Sequence, residues 1–273
     1  MNKRIFFSDN GSLRDLSPTL NKFNNNSENI PFVSGQDAIF IGSRLPFNHI
    51  YIKLHTVNSI SSNMIVTYSG SNSWQSVVEL TDETEGLTKS GLITFVPNKN
   101  SSWAMQTDSA TLAGLENTTI YDLYWLKIVF SNTLSGGTDL KWIGNLFSDD
   151  YDLEAEYPDL MKPAVLENFK QGKINWQAQH VRAAEVLISD LITKNIIDDG
   201  DQILIGTDYK NAAICKVAEI VYTAFGDDFL DDRRNARGEY EARLNKRVHR
   251  IDLNANGAEE FAERKTTSGW LNR

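Results

Sequence analysis

The apolar residues of this 273-residue chain change their spacing once, near Ser148, and that change constrains the fold more than any other feature. Before it, short runs alternate apolar and polar positions with period two. After it, apolar residues recur every three or four positions. The early runs are AIFIG (38–42), HIYIKLH (49–55), NMIVTYS (63–69), WQSVVEL (74–80), GLITFV (91–96), YWLKIVF (124–130) and LKWIGNLF (140–147). In HIYIKLH, Ile50, Ile52 and Leu54 point one way while Tyr51 and Lys53 point the other, as a strand with one face in a core requires. Turn-forming stretches such as SGSNS and SGGT separate the runs. Seven short strands with little helix between them predict an antiparallel β-sandwich, preceded by an irregular arm at 21–29.

SDDYDLEAEYPDLMKP then forms an acidic hinge with two prolines, and helical spacing follows. INWQAQHVRAAEVLISDLITKN lines up Val181, Ala184, Leu187 and Leu191. TDYKNAAICKVAEIVYTAFG is apolar around most of its girth and ends at Gly226, which suits a central helix. In DDRRNARGEYEARLNKRVHRID a single seam of Ala236, Tyr240, Leu244, Val248 and Ile251 runs between charges. A helix that polar stands on the surface or lies along a neighbouring subunit. With a short helix near 158–170, four helices are expected. The fold class is therefore α+β in two domains: a sandwich over 1–147 and a small helical bundle over 148–273.

A net charge of −9 argues against a general nucleic-acid binder, which needs surplus Lys and Arg, although DNA can slide past an acidic lining. The lone Cys215 excludes an internal disulfide framework and sits in the central helical pattern as an expected buried thiol. The opening MNKRIFFSDN has a three-residue apolar stretch, too short for a signal peptide, and no segment nears the ~20 apolar residues of a membrane span. The expectation is a protein folded in a reducing cytoplasm, with no membrane partner.

One segment resembles a metal site. DLNANGAEEFAE (252–263) fits a calcium-loop pattern through Asp252, Asn254, Asn256, Gly257 and Glu263. Two of the early ligands are neutral Asn, and Glu259 occupies a position that is normally apolar. A bound Ca2+ and a plain turn after the long helix both remain open, and a calcium sensor is not expected. The acids Asp149, Asp150, Asp152, Glu154, Glu156 and Asp159 read as a solvated helix start. The four histidines lack ligand spacing, and no phosphate loop, nucleophile elbow or paired cysteines occur. No catalytic residue is assigned and no enzyme is expected, although a carboxylate pair for sugar hydrolysis is a property of folds, not of sequence. Trp74, Trp103, Tyr124, Trp125 and Trp142 read as core filling first and as a sugar-stacking platform second.

The string WQSVVELTDETEGLTKSGLITFVPNKNSSW followed by YDLYWLKIVF resembles a β-sandwich module of tailed-bacteriophage virion proteins. The matching positions are Trp74, Asp82, Thr84, Gly86, Leu87, Thr88, Ser90, Gly91, Ile93, Phe95, Pro97, Trp103, Tyr124 and Trp125. The second half resembles the head-to-tail adaptor (connector) proteins of long-tailed phages, through YPDL, HVRAAEVLISDLI, AAICKVAEIVYTAFGDD, the charged helix YEARLNKRVHRIDLNANG and the tail ERKTTSGWLNR. That resemblance implies a structural virion protein at the head–tail junction. It would be a homo-oligomeric ring, of twelve in that family, touching the portal and the neck or tail completion proteins, with DNA only as passing cargo. Glu263, Arg264, Lys265, Trp270, Leu271 and Arg273 would form the portal-docking tail, anchored by Trp270. Arg233, Arg234, Arg237, Tyr240, Leu244 and Val248 would form the subunit-interface helix. The alternative is a baseplate or tail-tip module that binds carbohydrate or receptor through the sandwich aromatics.

Overall fold

The computed structural model describes residues 3–98, 103–107, 112–116, 122–204, 206–245, 248–257 and 264–266. The fold is mixed α and β, with two antiparallel sheets followed by a helical stretch. The chain divides into two compact units. One is Met1–Gly144 with Asp252–Glu259; the other is Asn145–Ile251 with Glu260–Arg273.

In the first unit, β1 (Arg4–Asp9) and β2 (Ser12–Asp15) form a hairpin outside the seven expected strands. Its turn, Asn10-Gly11, has φ of 47° and 85°, the left-handed pair that matches strand twist in a two-residue loop. A four-residue helix, α1 (Ser17–Leu20), follows. Then come β3 (Glu28–Asn29), β4 (Ala38–Ser43), β5 (His49–Thr56), β6 (Met64–Ser69) and β7 (Trp74–Ser76). The series continues with β8 (Glu79–Asp82), β9 (Gly91–Val96), β10 (Tyr124–Phe130) and β11 (Asp139–Gly144). One sheet runs β2-β1-β4-β10-β6-β7 and the other β3-β11-β5-β9-β8. Their inner residues, among them Ile39, Ile41, Val66 and Ile128 from the first and Ile50, Ile52, Ile93 and Ile143 from the second, share one apolar core.

Three strand expectations need correction. The arm at 21–29 ends in β3, which pairs with β11. The run 74–80 is two strands in different sheets, because the chain crosses between them at Val77 and Val78: β7 pairs with β6, and β8 with β9. The last run stops at Gly144, and Phe147 packs in the core of the second unit.

The second unit begins with α2 (Asp150–Glu156). Asp149 accepts the Asp152 N–H, and the Asp152 carboxylate accepts the Asp149 N–H, so this reciprocal cap accounts for two of the acids in the run. A 3-10 turn at Pro158–Met161 leads to α3 (Pro163–Phe169), then α4 (Gln177–Thr193) and α5 (Lys210–Phe225). Among the described residues, five helices in place of four therefore build this unit once α6 (Leu230–Asn245) is added. Helix α5 is its axis: Ala212, Ala213 and Cys215 enter one apolar cluster and Ile214, Val217, Ala218 and Val221 another. It stops at Gly226, whose φ of 80° disfavours any side chain. Among the described residues no helix is long and apolar enough to cross a membrane.

Helix α6 ends at Asn245, six residues short of the expected seam end at Ile251. Its inward seam is complete with Ala236, Tyr240 and Leu244. Beyond it, Val248 opens a strand, β12 (Val248–Arg250), which pairs with β13 (Arg264–Thr266).

Candidate functional site

Helix α6 has two sides with different work. Ala236, Tyr240 and Leu244 are buried in the chain's own helical packing. The Tyr240 hydroxyl donates to Asp190 Oδ2 on α4 at 2.6 Å, and Lys216 Nζ of α5 sits 3.9 Å from the centre of its ring. Burial, then that hydrogen bond, holds the phenol far above its ordinary range. Tyr240 and Leu244, expected at a subunit interface, are thus engaged within one chain, and Val248 has left the helix for β12. The outward side keeps the arginines. Arg234 and Arg237 have side chains 69% and 67% exposed, and Arg233 is half-buried. Arg237 Nε pairs with Glu241 at 3.1 Å one turn along, and Arg234 faces Asp231 at 3.8 Å. Such pairs hold a helix weakly and leave the guanidinium groups reachable.

A second surface surrounds the ribbon β12–β13. His249, on its inner face, is buried; its Nδ1 lies 2.8 Å from the Tyr209 hydroxyl and the two rings stack. On the opposite face a cleft of about 320 Å³ is lined by Asp208, Val248, Arg250 and Arg264. Arg250 donates through Nε to Asp208 Oδ2 at 2.7 Å and through a second nitrogen to Oδ1, so a two-pronged ion pair fixes its plane. Two residues of the expected docking tail, Arg264 and Lys265, therefore lie in a strand paired within the same chain. Glu263, Trp270, Leu271 and Arg273 fall outside the described residues.

The calcium-like segment closes on itself. Asp252 is buried, its Oδ1 accepts the Asn256 N–H at 3.1 Å, and its Oδ2 accepts the Gly257 N–H at 2.8 Å. The Asn254 side chain also accepts the Asn256 N–H. Ala255 and Gly257 have φ of 57° and 76°, so the turn takes its left-handed positions at an alanine and a glycine. Among the described residues no group of three His, Cys, Asp or Glu side chains could hold a metal, and the proposed ligand Glu263 lies outside them. Gly257 belongs to the first unit, where a Cβ on it would meet Pro46, Pro97 and Trp103, each at 3.3 Å.

A buried polar cluster escaped the sequence reading. Ser148 Oγ lies 2.8 Å from His180 Nδ1, and His180 Nε2 lies 3.3 Å from Asp150 Oδ1, which also accepts the Trp176 N–H at 2.9 Å. Ser, His and Asp are the residue types of a nucleophilic triad. Here the serine and histidine are sealed from solvent, so the cluster acts as a tether from the start of α2 to the start of α4. No local pattern could signal it, because its members meet across 32 positions. Cys215 is buried as expected; burial pushes its thiol up, and the Tyr157 hydroxyl donates to it at 3.6 Å.

The residues that carry the sandwich-module resemblance form a turn lattice. Asp82 accepts the Thr84 and Gly86 N–H groups at 2.8 and 2.9 Å, and Thr84 Oγ1 accepts the Leu87 N–H. Glu85, Gly86 and Leu87 all have positive φ, and a Cβ on Gly86 would lie 2.0 Å from the Ser62 carbonyl oxygen. Ser90 Oγ accepts the Leu54 N–H. The aromatics are mostly internal: Trp103 packs among Phe47, Tyr68, Phe95 and Tyr124, while Trp125 and Trp142 are also buried. Trp74 is half-buried and its indole N–H donates to the Ala113 carbonyl. No family model matches the chain, and no curated protein matches it.

Proposed function

We propose that the chain is a structural virion protein, a head-to-tail adaptor whose copies assemble as a ring between the portal and the neck or tail of a tailed phage. In this reading the two sheets act as a β-sandwich domain and the helices as a bundle domain that builds the ring. Twelve copies, a portal docked by the chain end, and DNA passing through the channel are the family's expectations for it. What supports the reading is the sequence resemblance together with the build of α6. Its apolar seam locks onto its own protomer while Arg234 and Arg237 stay available to acids on a neighbouring copy. The sugar-binding alternative draws less support, because Trp103, Trp125 and Trp142 have their faces in packing.

The deciding experiment is light scattering and negative-stain imaging of the purified chain, alone and mixed with a tailed-phage portal protein. Closed rings, or rings formed on the portal, are expected. A chain that stays single at every concentration and ignores the portal would remove the proposal.

A further inference from the structure

We propose that the cleft on the outer face of β12 and β13 is an oxyanion site, in which Arg250 and Arg264 hold a tetrahedral phosphate-type anion between their guanidinium groups. All four lining residues, Asp208, Val248, Arg250 and Arg264, belong to one compact unit, so the site is complete within a single chain. It goes beyond the assembly reading and does not depend on it.

The ladder brings the two arginines together. Arg250 and Arg264 are directly opposed across β12 and β13. Such a pair shares a face, with Cβ atoms roughly 4.5–5.5 Å apart. Like charges in that position repel, and this ladder has only three residue pairs to resist them. The lining as a whole carries two cations and one anion, in a chain whose net charge is −9. An anion seated between the guanidinium groups turns their mutual repulsion into attraction to a shared partner.

Arg250 is held ready for such a partner. Its carbonyl accepts the Leu204 N–H, and its neighbour His249 is buried against Tyr209. Asp208, on the 3-10 turn Gly206–Tyr209 that leads into α5, grips one edge of the guanidinium through both carboxylate oxygens. A fork already fixed in its plane loses little freedom when a ligand arrives.

The make-up of the cleft selects the ligand class. Three of its four lining side chains are charged, whereas pockets for organic ligands are mainly apolar. Its volume of about 320 Å³ lies at the lower end of the range of roughly 300–1,000 Å³ for ligand pockets, which suits a small ion. Geometry then separates the oxyanions. A planar carboxylate presents its two oxygens to one fork, as Asp208 does to Arg250. A tetrahedral anion has oxygens enough for forks that approach from two adjacent strands.

The test is titration calorimetry and thermal melting of the whole chain in inorganic phosphate, sulfate and acetate, each against sodium chloride at matched ionic strength. Phosphate and sulfate are expected to bind one per chain and to raise the melting temperature, while acetate behaves as chloride does. The Arg264 side chain is exposed, so Arg264→Gln should melt like the parent without phosphate. It should weaken phosphate binding by about tenfold or more, the scale of one lost charge-assisted contact. Arg264→Lys keeps the charge without the fork and should restore only part of the loss. Glycerol 3-phosphate separates the two sources of the chemistry: binding equal to phosphate assigns the cleft to phosphate monoesters, and no binding assigns it to the free ion. The proposal is overturned if phosphate does no more than chloride, if acetate binds as well as phosphate, or if R264Q keeps the parent's phosphate affinity.

Discussion

Helix α6 allows the separation of folding from assembly to be tested by two variants on opposite sides of one element. Leu244 is 1% exposed at the end of the inward seam. Truncating it to Ala removes a fully buried leucine side chain and leaves a cavity in the apolar cluster that holds Leu191, Ala212 and Tyr240, a loss of about 2–5 kcal/mol. For a chain of this size each kcal/mol lowers the melting temperature by roughly 2–4 °C, so a fall of about 4–20 °C is expected. The counterpart is Arg234→Glu with Arg237→Glu. Both side chains are mostly exposed and their partners, Asp231 and Glu241, are exposed too, so the melting temperature should not move measurably. Assembly should respond in the opposite way, because two reversed charges at each junction repel the acids they are proposed to meet. Differential scanning calorimetry reads the first property and light scattering the second. The reasoning is refuted if L244A melts like the parent chain but fails to assemble, or if the charge reversal assembles normally.

Other expectations follow from single sites. Cys215 should not react with a thiol reagent at pH 8 in the folded protein and should titrate as one thiol once unfolded, since burial raises it from its ordinary 9.0. Burial raises Tyr157 and Tyr240 as well. All three are protonated longer in the folded than in the unfolded state, so their contribution is complete below about pH 9 and is lost as pH rises beyond. Denaturant midpoints should therefore decline from pH 9 to pH 11, and a flat profile would contradict the burial argument. Asp82→Ala should cost about 2–3 kcal/mol by freeing the Thr84 and Gly86 amides, measured by denaturant titration of tryptophan fluorescence. Asp252→Ala should lower the melting temperature equally in chelator and in millimolar calcium, and a calcium-dependent gap would show that the loop holds the ion. A chain ending at Gly144 should be less stable than one in which a short flexible linker rejoins Gly144 to residues 252–257, because only the second covers Pro46, Pro97 and Trp103.

What the sequence made legible is what local periodicity carries. HIYIKLH and YWLKIVF became β5 and β10 because alternation and β-branched content act within a few residues. TDYKNAAICKVAEIVYTAFG became the axial helix and stopped at Gly226, as its composition required. The hairpin β1–β2 was marked by Asn10-Gly11, a signal present in the sequence and passed over. The division of WQSVVEL between two sheets was not marked, since a strand that crosses a corner keeps its alternation while its partners change. Tyr240 and Leu244 illustrate the same limit at the candidate surface. A narrow apolar seam looks alike whether it meets another copy or its own bundle, and only the observed contacts with Asp190 and Lys216 decide.

The return of Asp252–Gly257 to the first unit gives the calcium-like segment a second reading. Asp252 accepts amides of its own turn through both oxygens, and a Cβ on the turn's glycine would lie among Pro46, Pro97 and Trp103. The same residue types satisfy both demands, because short side chains that accept backbone amides and a glycine with positive φ are also what a tight turn needs. Residues 145–251 are therefore connected at both ends to one unit. The turn at Asp252 fixes where the chain enters and leaves that short return to the first unit.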